Sequence, residues 1–84
     1  MNYVYILKSS VDQNYYIGST NDLKRRFREH NLGKVDSTKN RRPFELVYYE
    51  AYKSESDARK REQNLKLRSR AFQQLKKRIS DSLN

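Results

Sequence analysis

Cysteine is absent from this chain, which excludes a disulfide framework, a thiolate nucleophile and a cysteine-based zinc site. The absence fits a reducing cytoplasm, the compartment expected for the protein. Tryptophan is absent too, and seven tyrosines stand against three phenylalanines, so a hydroxyl accompanies most of the rings. No apolar run approaches the ~20 residues needed to span a bilayer. The start, Met1-Asn2-Tyr3, has no basic leader before an apolar stretch, so no signal peptide is expected. Apolar residues are scarce, at 35% of the chain with a mean hydropathy of −1.20. The 84 residues make one domain at most. A domain of this size buries only about 60% of its unfolded surface, so the apolar positions must fall where periodicity puts them.

What the sequence has in excess is positive charge. Lys and Arg total 19 against 10 Asp and Glu, a net charge of +9. That favours a polyanionic partner, most often nucleic acid. An anionic membrane would instead require a continuous amphipathic helix with bulky apolar residues on one face.

Tyr3 to Leu7 reads as a strand, and Tyr15-Tyr16-Ile17-Gly18 as a second, with polar turn residues between them. The short connection predicts an antiparallel hairpin. Ser19-Thr20-Asn21-Asp22 supplies helix N-cap residues, and Leu23, Phe27 and His30-Asn31 follow at helical spacing. The helix should stop between Asn31 and Gly33. A loop with Lys34, Lys39, Arg41 and Arg42 leads to a third strand over Phe44 to Tyr52. There Leu46, Tyr48 and Tyr52 alternate against Val47, Tyr49 and Ala51. Ser54 and Asp57 resemble a capping box for a helix that runs to about Leu67. A last amphipathic stretch sets Phe72, Leu75 and Ile79 on one face. The fold class is α+β: a three-stranded antiparallel sheet flanked by helices, in the order β-β-α-β-α-α. The domain is expected over residues 1–79, with 80–84 a frayed tail.

Several residues depart from this plain pattern. Glu62 lies four residues after Ala58 and three before Leu65, on the apolar stripe of its helix. A carboxylate there must be paired or bound to metal. An ion pair with Arg59 or Lys66 outweighs a metal on position alone. Arg26 and His30 share a helix face, where Arg can hold a phosphate and His can relay a proton. The plainer reading is a basic solvated face with a surface histidine. A tight turn near Ser10-Val11 would put Tyr5 and Tyr16 opposite each other on one sheet face. Gly18 closes that strand, where a missing side chain lets backbone or ligand come close. Together these residues offer a carboxylate for a hard metal, a cation for phosphate and hydroxyls for a proton, the parts that cleave a phosphodiester.

The same residues carry a resemblance. Tyr3-Val4-Tyr5, Tyr16-Ile17-Gly18-Ser19-Thr20 and Asp22-Leu23-x-x-Arg26-x-x-x-His30 stand in order. Arg42-Pro43-Phe44-x-Leu46-Val47-Tyr48 and Ala58-x-x-x-Glu62-x-x-x-Lys66 follow. This series resembles the GIY-YIG nucleases, and in particular their small stand-alone bacterial members, from Tyr3 to about Lys77. The resemblance implies one Mg²⁺ or Mn²⁺ ion held by Glu62. It implies motif tyrosines at Tyr5 and Tyr16, one of them the general base, with Arg26 stabilising the phosphate and His30 beside them. Two departures stand out. Tyr3 replaces the glycine of the first motif, and Ser19 sits where the excision-repair member of the family has a lysine. An unaided Tyr, with a reference pKa near ~10, is a poor base at neutral pH; His30 or Lys8 could assist.

The reading that follows is a metal-dependent endonuclease on DNA, with RNA open and structured or damaged DNA included. Low sequence specificity is expected, because phosphate contacts carry no base information. Lys24, Arg25, Arg28, Lys39, Arg41, Arg42, Arg59 and Lys66 are the residues expected to meet the nucleic acid. The alternative is a nucleic-acid-binding module on the same scaffold that lacks catalysis or needs a protein partner. One site per chain cuts one strand per event, so a double-strand break would need a homodimer or a second visit.

Overall fold

A computed structural model describes residues 1–67 and 69–84. Strands β1 (Asn2–Ser9) and β2 (Tyr15–Thr20) lead into α1 (Leu23–Asn31). A 3₁₀ turn at Lys39–Arg41 precedes β3 (Phe44–Tyr52), α2 (Glu55–Leu67), α3 (Ser69–Arg78) and a short α4 (Ser80–Leu83). The sheet is antiparallel, in the order β2-β1-β3. Among the described residues, no helix is long and apolar enough to cross a membrane.

The apolar run of β1 is explained by its central place, because it is covered on both faces. Val4 and Ile6 pack with Ile17 against Ala58, Leu65 and Leu75 of α2 and α3. Tyr5 and Leu7 point the other way, to Phe44, Leu23, Phe27 and Leu46. The fold thus has a thin core on each side of one sheet.

Two details of register differ from expectation. The β1–β2 hairpin pairs Tyr5 with Gly18 and Leu7 with Tyr16. Its centre lies between Val11 and Asp12, one residue beyond the expected turn, which moves each partner by two. A shift of two preserves the face, so Tyr5 and Tyr16 are diagonal neighbours on one side. Ser9 stabilises the longer turn, accepting from the amides of Val11 and Asp12 through its hydroxyl. The second difference is a register break between Ile6 and Leu7 opposite β3. The extra residue there is Val47, and a bulge interrupts the expected alternation. Leu46 faces Tyr5 and Leu7, whereas Val47, Tyr48 and Tyr52 pack on the α2 face.

The helix ends follow local chemistry. The Asp22 side chain accepts from the Arg25 amide and caps α1. Beyond α1, Gly33 has φ +77°; its amide reaches the His30 carbonyl, and the Lys34 amide reaches that of Glu29. This is a Schellman end, and it needs the left-handed glycine. Ser54 caps α2 by accepting from the Asp57 amide. Residues 80–83 were expected to fray and instead form α4. Leu83 is buried, and its carbonyl accepts from Lys8 Nζ at 2.9 Å. An apolar partner and a cation at the last carbonyls hold the turn that sequence position alone would release.

Beneath α2, Glu50 collects the hydroxyls of Tyr48 and Tyr52 and the guanidinium of Arg61, with Arg61 Nε at 3.1 Å from Oε1. Burial works to raise its pKa, but the hydrogen bonds from Arg61, Tyr52 and Tyr48 outweigh burial and hold it below the usual carboxylate range. Glu50→Gln should cost about 1–3 kcal/mol at pH 7, because it leaves a half-buried Arg61 without its counter-charge. The depressed folded pKa makes this stability present above the unfolded pKa and lost as pH falls through the folded one. Urea unfolding of both proteins at pH 7 and pH 3 checks it: the gap should narrow in acid.

Candidate active site

The hairpin brings Tyr5 and Tyr16 to the α1 side of the sheet, with ring centroids 6.3 Å apart. α1 places Arg26 and His30 over them, one turn apart. His30 is not a surface residue: it is 0% exposed, and Tyr5 is 1% exposed. The Tyr5 hydroxyl and His30 Nε2 share a hydrogen bond of 2.9 Å. On the other side of the ring, Nδ1 meets Thr38 Oγ1 at 2.9 Å. The imidazole also packs on Tyr16 and Phe44, with centroids at 4.9 and 5.9 Å. Among the described residues no buried side-chain polar atom is left without a partner.

Burial, then the Tyr16 hydroxyl, pushes the Tyr5 pKa up to about 12, against the opposing hydrogen bond and charge of Arg26. Burial, with the charge of Arg26 added, pulls His30 down to about 4. Both groups are therefore neutral at pH 7. Arg26 joins Tyr5 to the outer layer: its charge acts on the Tyr5 hydroxyl, and its guanidinium donates to Glu29 Oε1 at 3.1 Å.

Glu62 approaches from α2 around the β2 edge. Ser19 Oγ donates to its Oε1 and Lys66 Nζ to its Oε2, each at 2.7 Å. The expected ion pair thus forms with Lys66; Arg59 turns to Glu55 at 3.5 Å instead. Gly18 lies between the layers. A Cβ there would meet the Tyr5 hydroxyl at 2.5 Å and the Tyr16 ring at 3.0 Å, so the tyrosines can close over this position only because it is glycine.

A polar cleft of about 310 Å³ opens beside this cluster, lined by Ser19, Arg25, Arg26, Glu55 and Arg59 among others. Three guanidiniums against one carboxylate suit a phosphate chain. A larger hollow of about 450 Å³ lies under Tyr3, Leu23, Phe27, Leu46 and Tyr49, with Lys24 at its rim. It holds none of Tyr5, Tyr16, Arg26, His30 or Glu62. The remaining basic residues are scattered. Arg28 is exposed on the side of α1 turned away from Arg26. Lys39 is exposed, and the Arg42 guanidinium lies over Gly33. Arg41 is engaged with Asp12 at 2.7 Å and ties the hairpin turn to the 3₁₀ segment. Lys8 is outside the cluster, on the opposite sheet face and bound to Leu83.

Among the described residues no three His, Asp or Glu side chains converge on one point. A carboxylate with a neighbouring hydroxyl still fits one hard cation, since Mg²⁺ keeps several waters and takes one or two protein carboxylates.

Ser19 and Thr38 are the contributors that sequence reasoning did not assign. Ser19 could have been found from strand alternation, which turns it to the face opposite Tyr5. Thr38 lies in an irregular segment, where no period exists to place it.

A three-stranded antiparallel sheet flanked by helices in this order is the fold expected of the GIY-YIG family. Residues 1–79 match the family described as the GIY-YIG catalytic domain, and the chain belongs to that family. It is 47% identical over 72 residues to the UPF0213 protein of Syntrophus aciditrophicus, covering 83% of this chain and 82% of the relative. It is 43% identical over 67 residues to the UPF0213 protein of Clostridium perfringens, covering 79% and 71%. The solution NMR structure of the UPF0213 protein BH0048 from Bacillus halodurans shares the fold. It has a TM-score of 0.56 at 38% identity and covers 89% of this chain and 83% of that one.

Two predictions follow from this geometry. Gly18→Ala should cost about 1–3 kcal/mol by overpacking and displace the Tyr5 ring, since the buried hydroxyl has no room to retreat; chemical denaturation and the Tyr5 ring resonances report it. His30 should stay neutral until pH approaches about 4. Its folded pKa is depressed, so the unfolded chain binds more protons between that value and ~6.5, and stability falls as pH falls through this window. An NMR titration of the His30 ring, with unfolding measured at pH 7 and pH 5 for wild type and His30→Gln, tests both parts.

Proposed function

We propose that the protein is a metal-dependent endonuclease that hydrolyses DNA phosphodiester bonds with low sequence specificity. The observation that carries this reading is the convergence of Tyr5, Tyr16, Arg26, His30 and Glu62 beside a cleft lined by Arg25, Arg26 and Arg59. Phosphate enters the cleft against these guanidiniums. Arg26 stabilises the charge that develops on the phosphorus oxygens. The Tyr5–Tyr16–His30 cluster holds the attacking water and takes its proton. A phenol held near 12 is not ionised at rest, so Tyr5 takes the water's proton only as it passes its own to His30 Nε2, 2.9 Å away, while Thr38 keeps the imidazole in place. Glu62, with Ser19 beside it, would hold one Mg²⁺ or Mn²⁺ ion, which would supply stabilisation of the leaving oxygen. Structured or damaged DNA fits a domain with few groups for base edges.

One observation favours a second reading. Both Glu62 oxygens already have donors, as in a module that binds nucleic acid without cutting it or awaits a protein partner. Cleavage of end-labelled branched, nicked, flapped and single-stranded DNA, with Mn²⁺ or EDTA, separates the two. Wild type should cut only with metal. Glu62→Ala should not cut, and Arg26→Ala should lose about 10²–10³ in rate, while both still bind. Cutting by Glu62→Ala equal to wild type would place the chemistry elsewhere. Tight binding without cutting on every substrate would favour the second reading.

A further inference from the structure

The Glu62 carboxylate is engaged by two donors as it stands. Its Oε1 is occupied by the Ser19 hydroxyl and its Oε2 by the Lys66 ammonium, each at 2.7 Å. The two donors are not equivalent. A hydroxyl has lone pairs and can rotate to become a second oxygen ligand, whereas an ammonium has only hydrogens to offer. A divalent cation at Glu62 also repels the charge on Lys66. Lys66 is therefore the donor that a metal at Glu62 would drive off, and Ser19 can stay.

Lys66 is built to leave. Its side chain is 44% exposed where that of Glu62 is 18% exposed. Exposed pairs of this i,i+4 kind contribute only about 0.3–0.5 kcal/mol, so little holds it. Its ammonium lies 5.9 Å from the centroid of the Tyr16 ring, on the rim of the cluster where a phosphate would arrive. Four flexible carbons let it swing without moving α2.

We propose that Lys66 is an exchangeable counter-ion. It neutralises Glu62 in the metal-free protein, yields the carboxylate to the divalent cation, and delivers the freed ammonium to a phosphate oxygen of the nucleic acid. The consequence is positive coupling. Metal releases a phosphate-binding group, and nucleic acid that captures this group exposes the metal ligand, so each raises the affinity for the other. The inference rests on the reading of Glu62 as a metal ligand.

Mn²⁺ binding to the protein without nucleic acid, followed by calorimetry, tests the first half in wild type, Lys66→Met, Lys60→Met and Glu62→Gln. Lys66→Met should bind Mn²⁺ about twofold more tightly, the gain expected from removing a weak competing pair. Lys60→Met, which deletes the same charge from the solvent side of α2, should match wild type. Lys66→Met equal to wild type, or Lys60→Met equally tightened, overturns the exchange. Glu62→Gln binding Mn²⁺ as wild type does would instead overturn the metal reading itself. The second half is read from the salt dependence of duplex binding. With Mg²⁺ present, the slope for wild type should exceed that for Lys66→Met by about one phosphate contact, and in EDTA the two should agree. Equal slopes in Mg²⁺ overturn the transfer to phosphate.

Discussion

The double burial of β1 governs this molecule. A chain with so few apolar residues cannot build two sheets, so it builds one and covers both faces of its central strand. Every side chain of the strand's interior then lies in a core, whichever way it points. Tyr5 is consequently buried though it carries a hydroxyl, and a buried hydroxyl requires a partner. His30 supplies it, and Thr38 satisfies the far side of the ring. The site thus begins as a solution to a packing problem on the central strand.

That origin divides the site into two electrical layers. The inner layer is uncharged at neutral pH, with Tyr5 held near 12 and His30 near 4 by the same burial. Arg26, Glu62 and Lys66 form the outer layer, nearer the solvent. Arg26 joins the layers: its charge acts on the Tyr5 hydroxyl, lowers the affinity of His30 for a proton and still faces the cleft. Charge that would be costly inside is kept at the rim, where solvent or a polyanion can meet it.

How far the sequence foretold this depends on the kind of information each part requires. Repeating patterns were legible: the strands, the caps at Asp22, Ser54 and Gly33, and the stripe that turned Glu62 inward between Ala58 and Leu65 all follow from local spacing. Parity was legible too, because Tyr5 and Tyr16 share a face even though the turn is one residue longer than expected. Long-range fit was not. The bulge at Val47 depends on how β3 must bend to cover both cores. Asn31 read as a helix stop, yet its amide also clamps the backbone of Phe44 in both directions. His30 read more plainly as a surface residue, because helical spacing alone does not say that a loop will fold Thr38 over it.

The same distinction bears on charge. A net charge of +9 announces a polyanionic partner but does not say which cations meet it. Arg41 is held by Asp12, and Arg61 by Glu50; both secure the fold. Arg25, Arg26 and Arg59 line the cleft, and only the tertiary structure separates them from the others. Lys66 belongs to both groups. It is paired as a structural lysine would be, yet the pair is exposed, weak and placed on the one carboxylate beside the tyrosines. Among the described residues no group of three acidic or histidine side chains surrounds Glu62 to hold a metal tightly. Keeping that residue neutralised by a mobile cation prevents an uncompensated half-buried charge when no metal is bound. In the proposed exchange this costs metal affinity, which returns when nucleic acid draws the lysine away.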